Sequence, residues 1–180
     1  MPTSSFEDAI AGWHDFYMLT AGAAATLLGL LFVAVSLNLR LFTDPSQPRF
    51  RADASVTFSS YLYLVLISLI FVAPNPDPDS LGWSLLIFSG VELVMTQKES
   101  DRARRLLRSG WRGYLLELAP TLCYLGVIVV AGGSILGQTG LITEGWMIPL
   151  VATLLGTATG DAWDLLLAVG VAQNLSNESP

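Results

Sequence analysis

Apolar residues in this chain gather into long runs, and polar residues are largely confined to the short stretches between them. Four runs, 17–38, 54–73, 113–136 and 146–172, reach the roughly 20 apolar residues that a helix needs to cross a bilayer. The last is long enough to tilt or break. A fifth run, 81–97, is shorter and contains Glu92, so hydropathy alone does not decide it. Ahead of the first run, Phe6, Ile10, Trp13 and Tyr17 recur at helical spacing, and Ser4 and Glu7 have the spacing of a capping box. This predicts a short helix lying on the membrane interface before the chain turns in. No internal repeat or second domain is visible, and residues 1–180 read as a single membrane domain.

Charge supplies what hydropathy leaves open. All nine basic residues fall in two windows: Arg40, Arg49 and Arg51, then Lys98, Arg102, Arg104, Arg105, Arg108 and Arg112. Lys and Arg next to a span are retained on the cytoplasmic side, so both windows belong there. If 81–97 did not cross, the second window would lie opposite the first and the segregation would have no cause. The expected fold is therefore an all-α polytopic transmembrane bundle of five spans, with the N-terminus outside and the C-terminus in the cytoplasm. Glu7, Asp8, Asp15, Asp77, Asp79 and Glu144 then fall outside, as does the rigid turn Pro74-Asn75-Pro76-Asp77-Pro78-Asp79. Trp83, Trp111 and Trp146 flank spans where interfacial aromatic belts belong. The basic loop 98–112 is expected to continue as a helix, because Glu99 with Arg102 and Asp101 with Arg105 have favourable acid-first spacing. Its cationic face suits anionic lipid headgroups, at about 1 kcal/mol per Lys or Arg near the surface.

Composition narrows the function classes. The chain is 52% hydrophobic and 13% charged, against about 25% charged in ordinary soluble domains. No basic face is left over for a phosphate backbone, which argues against nucleic acid. One cysteine, Cys123, excludes a disulfide or a multi-cysteine metal site within one chain, and its place in an apolar run suits a small buried hydrophobe. The N-terminus has no basic n-region or small-residue cleavage site, so its first residues are expected to be kept. A C-terminus in the cytoplasm would keep the glycosylation-like Asn174 and Asn177 sequences from being used. No cofactor motif is present.

In the first span Gly22, Ala25, Gly29 and Ser36 fall near one face, and small residues let helices approach closely in lipid. Packing within the chain and association between chains are both open to that face. Gly156 and Gly160 offer the last span the same option of close packing, or a break. The stretch WHDFYMLTAGAAATLLGLLFVAVSLN, from Trp13 to Asn38, resembles the opening of small uncharacterised bacterial multi-pass inner-membrane proteins, and Ala162-Trp163-Asp164-Leu165-Leu166 resembles their closing motif. The two patches cover about a fifth of the chain. The resemblance implies a multi-pass protein of the bacterial inner membrane and transfers no activity or site residue.

Four carboxylates lie within the runs: Glu92, Glu117, Asp161 and Asp164. A carboxyl at membrane depth costs at least about 2.5 to 3.5 kcal/mol, so each must face an interior, pair, or stay protonated. Glu92 and Glu117 fall roughly 6 to 8 Å from the cytoplasmic ends of their spans at about 1.5 Å per residue, and Asp161 falls deeper. Thr153, Thr157, Asp161, Asp164 and Ala168 form a stripe on one face of the last span; Glu117, Thr121 and Tyr124 share a face beside a kinking Pro120; and Thr57, Ser60, Tyr61 and Ser68 line one side of the second span. These faces predict a polar interior. Acids crowded at low dielectric cannot all stay ionised and are expected to share protons or bind a cation through hard oxygen ligands. Against this, the two glutamates are near enough to the inner interface to reach water or pair with Arg108 and Arg112, and helix hydroxyls often bond their own backbone.

An enzymatic role finds little support. Thr159-Gly160-Asp161 resembles the Gly-x-Gly-Asp of intramembrane aspartyl proteases, but Ala158 holds the first glycine position and no Tyr-Asp pair occurs in another span. His14, the sole histidine, sits beside Asp15 with no nucleophile to serve. The reading is a non-enzymatic, oligomeric channel-like or carrier-like conduit for protons or metal cations, with Asp161 and Asp164 as its core and Glu92 and Glu117 at its inner mouth. The alternative is a non-catalytic accessory or scaffold subunit of a larger membrane complex.

Overall fold

A computed structural model describes residues 4–44, 47–73, 77–104, 111–137 and 145–178, with side chains for 11–44, 47, 50–73, 77, 79–96, 119–137 and 145–172. Among these every regular element is a helix: α1 (Ser4–Leu37), α2 (Leu39–Thr43), α3 (Pro48–Val72), α4 (Pro78–Arg104), α5 (Trp111–Ile135) and α6 (Met147–Glu178). Three stretches, Ala11–Leu37, Phe50–Val72 and Met147–Ala172, are long and apolar enough to cross a membrane, which marks a membrane protein. A shorter apolar stretch, Ala119–Ile135, lies within α5.

Local chemistry accounts for the helix ends. The Asp77 carboxylate accepts from the Ser80 backbone N–H at 3.2 Å, and Pro78 follows it at the first helical position, where a missing N–H costs nothing. Gly137, with φ 82°, follows α5, and Gly145, with φ 78°, precedes α6; both conformations suit glycine. The interfacial helix expected at residues 6–17 is not separate. It forms the first turns of α1, which runs unbroken for 34 residues, or about 51 Å. No proline interrupts it, and a single Gly12 costs only about 1 kcal/mol in a helix. The α6 helix likewise continues without a break past Gly156 and Gly160 to Glu178. In α4 the helix passes the end of its apolar run and enters the basic window as far as Arg104; the side chains of residues 98–112 lie outside those described.

The centre of the bundle is α3. It packs against α1, α4 and α6, and α5 closes the ring between α4 and α6. Cross-helix contacts give the directions. The Tyr17 ring stacks on Phe71 at 4.1 Å, while Leu31 and Val35 lie with Arg51 and Phe58 around one groove, so α1 and α3 are antiparallel. Ser59 meets Glu92 and Tyr63 meets Ser89, which makes α4 antiparallel to α3. The Trp13 ring lies against Gly145, bringing the N-terminal part of α1 beside the start of α6. The loop after α1 and the far end of α4 are consequently at one end of the bundle.

Large side chains fill the middle: Tyr61, Tyr63, Leu64 and Ile67 from α3, Leu85 from α4, Tyr124 and Val127 from α5, and Met147, Val151 and Leu154 from α6. Cys123 is buried, as expected of a small hydrophobe. Close helix approach occurs at glycines other than those singled out in the sequence. A Cβ on Gly82 would stand 2.9 Å from Ile135 Cγ1 and 3.2 Å from the Ala131 carbonyl, and one on Gly126 would stand 2.8 Å from Leu150 Cδ2. At Gly22, Gly29, Gly156 and Gly160 it would meet nothing, and Ala25 is exposed. The reason is rotational: α1 turns Tyr17, Thr20, Ala24 and Leu31 inward, and its glycine face points the opposite way.

Candidate functional site

Hydroxyl groups on α3 reach three neighbouring helices from a span of little more than one turn. Ser59 donates to Glu92 Oε2 of α4 at 2.6 Å. The Tyr63 hydroxyl is 2.6 Å from Ser89 Oγ of α4, and Ser60 Oγ is 3.4 Å from the Tyr124 hydroxyl of α5. Tyr61 donates to Thr159 Oγ1 of α6 at 3.3 Å, and Thr159 in turn donates to the Leu155 carbonyl at 2.7 Å. Helix geometry explains the spread, since successive residues point about 100° apart and these four nearly consecutive residues cover a little over half of the helix circumference. The expected polar side of α3 is the buried one: Thr57, Ser60, Tyr61 and Ser68 are all inside. Ser59 and Tyr63 were not singled out in the sequence, and Tyr63 packs edge-on to the Tyr124 ring at 4.9 Å.

Among the described residues this belt ties helices together and opens no passage. Leu64, Ile67, Leu85 and Val127 are fully buried in the same core, where an aqueous file would need polar walls. Ser68 Oγ is buried with no hydrogen-bond partner among the described residues. Two open grooves lie on the bundle surface, and neither is lined by a carboxylate.

The carboxylates separate into two places. Glu92 is half-buried between α3 and α4, bonded to Ser59. Asp161 lies on α6 with Asp164 and Asp53 of α3 near enough for their charges to act on it, and Tyr61 is also nearby. Glu117 and the proposed ion-pair partners Arg108 and Arg112 have side chains outside those described. The interior face of α6 is apolar, carrying Met147, Val151, Leu154, Ala158, Leu165 and Val169. Thr153, Asp161, Asp164 and Ala168 are exposed, so the expected acid stripe flanks the bundle instead of lining its interior. Thr153 and Thr157 spend their hydroxyls on their own helix, at the carbonyls of Pro149 and Leu154.

While Glu92 is held at Ser59, Asp53 joins Asp161 and Asp164. It stands immediately before the apolar run 54–73, where sequence alone assigns it to a loop, but it is four and eight residues from Thr57 and Tyr61 on one helix face. Among the described residues no three of His, Cys, Asp and Glu approach closely enough to hold a metal ion. One chain thus provides an acidic row on its flank without a closed coordination sphere. The His14 ring is exposed in the N-terminal part of α1 and, among the described residues, meets its neighbour Asp15 at 3.4 Å.

No protein-family model, curated protein or solved structure matches the chain.

Proposed function

We propose that the protein crosses the bacterial inner membrane five times, with its N-terminus outside, and assembles into a conduit that carries protons or metal cations past Asp161 and Asp164. The exposure of these two aspartates on a membrane-length helix carries the reading. Carboxyls at that depth are costly against lipid, by at least about 2.5 to 3.5 kcal/mol each, and their face has to be covered by protein or water. A second copy offering the same α6 face would enclose the row, with Asp53 toward the basic end. Asp161 lies about 21 Å along the helix from Met147 and about 17 Å from Ala172, near mid-span.

Two observations support five crossings over three. The α4 and α5 helices have 27 and 25 residues, about 40 and 37 Å, and they pack beside α3 and α6. Arg40, Arg49 and Arg51 of the first basic window and Lys98, Arg102 and Arg104 of the second also stand near helix ends at one end of the bundle, as cytoplasmic retention requires. A cysteine at Ser100, on a Cys123→Ser background, should resist an impermeant reagent added to intact cells; labelling from outside would reverse the topology.

Asp161→Asn retains shape and hydrogen bonding but removes the charge. Reconstituted in oriented proteoliposomes it should suppress proton or cation flux at least tenfold, and Asp164→Asn should do less. Wild-type vesicles with no flux above empty liposomes, across H⁺, Na⁺, K⁺ and divalent ions, would overturn the conduit reading. The open small-residue face of α1 favours a second reading, an accessory or scaffold subunit docked in a larger membrane complex. In that case the protein would leave the membrane in mild detergent with a partner of a different sequence.

A further inference from the structure

A groove of about 300 Å³ lies at the basic end of the bundle where α1, α2 and α3 meet. Leu31 lines it from α1, Phe42 from α2, and Ala54 and Phe58 from α3. Two polar side chains interrupt its apolar surface, Arg51 and Ser55, which are one turn apart on α3 and share a face. Arg51 is exposed and makes no ion pair or hydrogen bond among the described residues, and neither does the Ser55 hydroxyl. The groove is therefore apolar along its length and has unspent donors at one end.

We propose that this groove seats one anionic glycerophospholipid, with its phosphate on Arg51 and an acyl chain lying between α1 and α3. The proposal rests on the membrane-spanning reading and adds a ligand site to it. Arg51 is the second residue of the Phe50–Val72 stretch, the depth of a headgroup, and Ser55 one turn further in suits the glycerol ester region. The planar guanidinium presents paired donors to phosphate oxygens, a match that the ammonium of a zwitterionic headgroup weakens by competing for the same phosphate. Arg40 of α2 is exposed nearby in sequence and adds to the positive field. The cavity volume falls at the lower end of the roughly 300 to 1,000 Å³ range of ligand sites, so one chain, not a whole bilayer patch, is the unit it holds.

Native mass measurement of the delipidated full chain in detergent tests this with two lipids of equal chain length, dioleoylphosphatidylglycerol and dioleoylphosphatidylethanolamine. The wild type should retain one phosphatidylglycerol in preference to phosphatidylethanolamine. Arg51→Gln should weaken that binding about tenfold, as losing a hydrogen bond to a charged group does, and Arg51→Lys should restore part of it. Ala54→Trp should fill the groove and displace both lipids; Arg51→Gln, altering an exposed side chain only, carries the test if that variant does not fold. Soluble glycerol phosphate should fail to compete, since it has no chain for the groove. Equal retention of the two lipids, unchanged phosphatidylglycerol binding in folded Arg51→Gln, or displacement by glycerol phosphate would each overturn the proposal. Such a failure leaves the aspartate reading standing, because flux past Asp161 is measured with Arg51 intact.

Discussion

The α1 and α3 helices are comparably apolar and lie against each other, yet they hold opposite places in the protein. Across its most apolar stretch, 44% of α3 is buried inside the protein, against 17% of α1. The α3 helix spends Ser59, Ser60, Tyr61 and Tyr63 on bonds to α4, α5 and α6. The α1 helix turns Ala24 inward but leaves the small residues Gly22, Ala25 and Gly29 facing away from the bundle. Inside lipid, where burial of apolar surface no longer sorts helices, close packing and hydrogen bonds decide which helix is central. Hydropathy alone would have ranked the two alike.

The contrast can be broken first at the centre. Tyr63→Ala removes a fully buried ring, its contact with Tyr124 and its bond to Ser89, and should lower stability by about 3 kcal/mol in a detergent unfolding titration. Tyr63→Phe should lose only about 0.6 kcal/mol, the average for an interhelical hydrogen bond in membranes. A similar cost for both would mean that the hydroxyl, not the packing, holds α3 in place.

Glycine substitution sharpens the comparison, because one residue type stands in both environments. Gly82→Leu should destabilise by about 1 to 3 kcal/mol, as overpacking does, since even a Cβ would crowd Ile135 and the Ala131 carbonyl. Gly29→Leu should leave unfolding of the single chain within about 0.5 kcal/mol and act instead on any oligomer seen by native mass measurement. Reversal of the two effects would exchange the inner and outer helices.

The smallest expected effect distinguishes two serines of α3. Ser59→Ala frees the Glu92 carboxylate and should cost about 0.6 kcal/mol. Ser68→Ala should be neutral or slightly stabilising, because its buried hydroxyl has no partner to lose. A clear loss of stability in Ser68→Ala would indicate a bond to that hydroxyl.

The helices were legible in the sequence because each apolar run is bounded by turn or charge signals, and the polar side of α3 was legible because Thr57, Ser60, Tyr61 and Ser68 repeat at helical spacing. The facing of α6 was not. Its Thr153, Thr157, Asp161, Asp164 stripe and its Met147, Val151, Leu154, Ala158 stripe are both regular, and with lipid as apolar as a protein core, periodicity does not tell which faces inward. The packing roles of Gly82 and Gly126 were hidden for a different reason: a glycine matters through what stands opposite, here Ile135 and Leu150, far away in sequence. Asp53 was missed because it precedes the apolar run by one position.

The central claim is that the aspartate face of α6 lies outside the single chain and is covered by a second copy. Disulfide cross-linking in native membranes tests it most directly, with single cysteines on a Cys123→Ser background. Gly160→Cys, on the open side of α6, should give a cross-linked dimer under mild oxidation, and Ala158→Cys, only 1% exposed within the bundle, should give none. Dimer formation from position 158, or none from 160, 161 and 164 tested in turn, would contradict it.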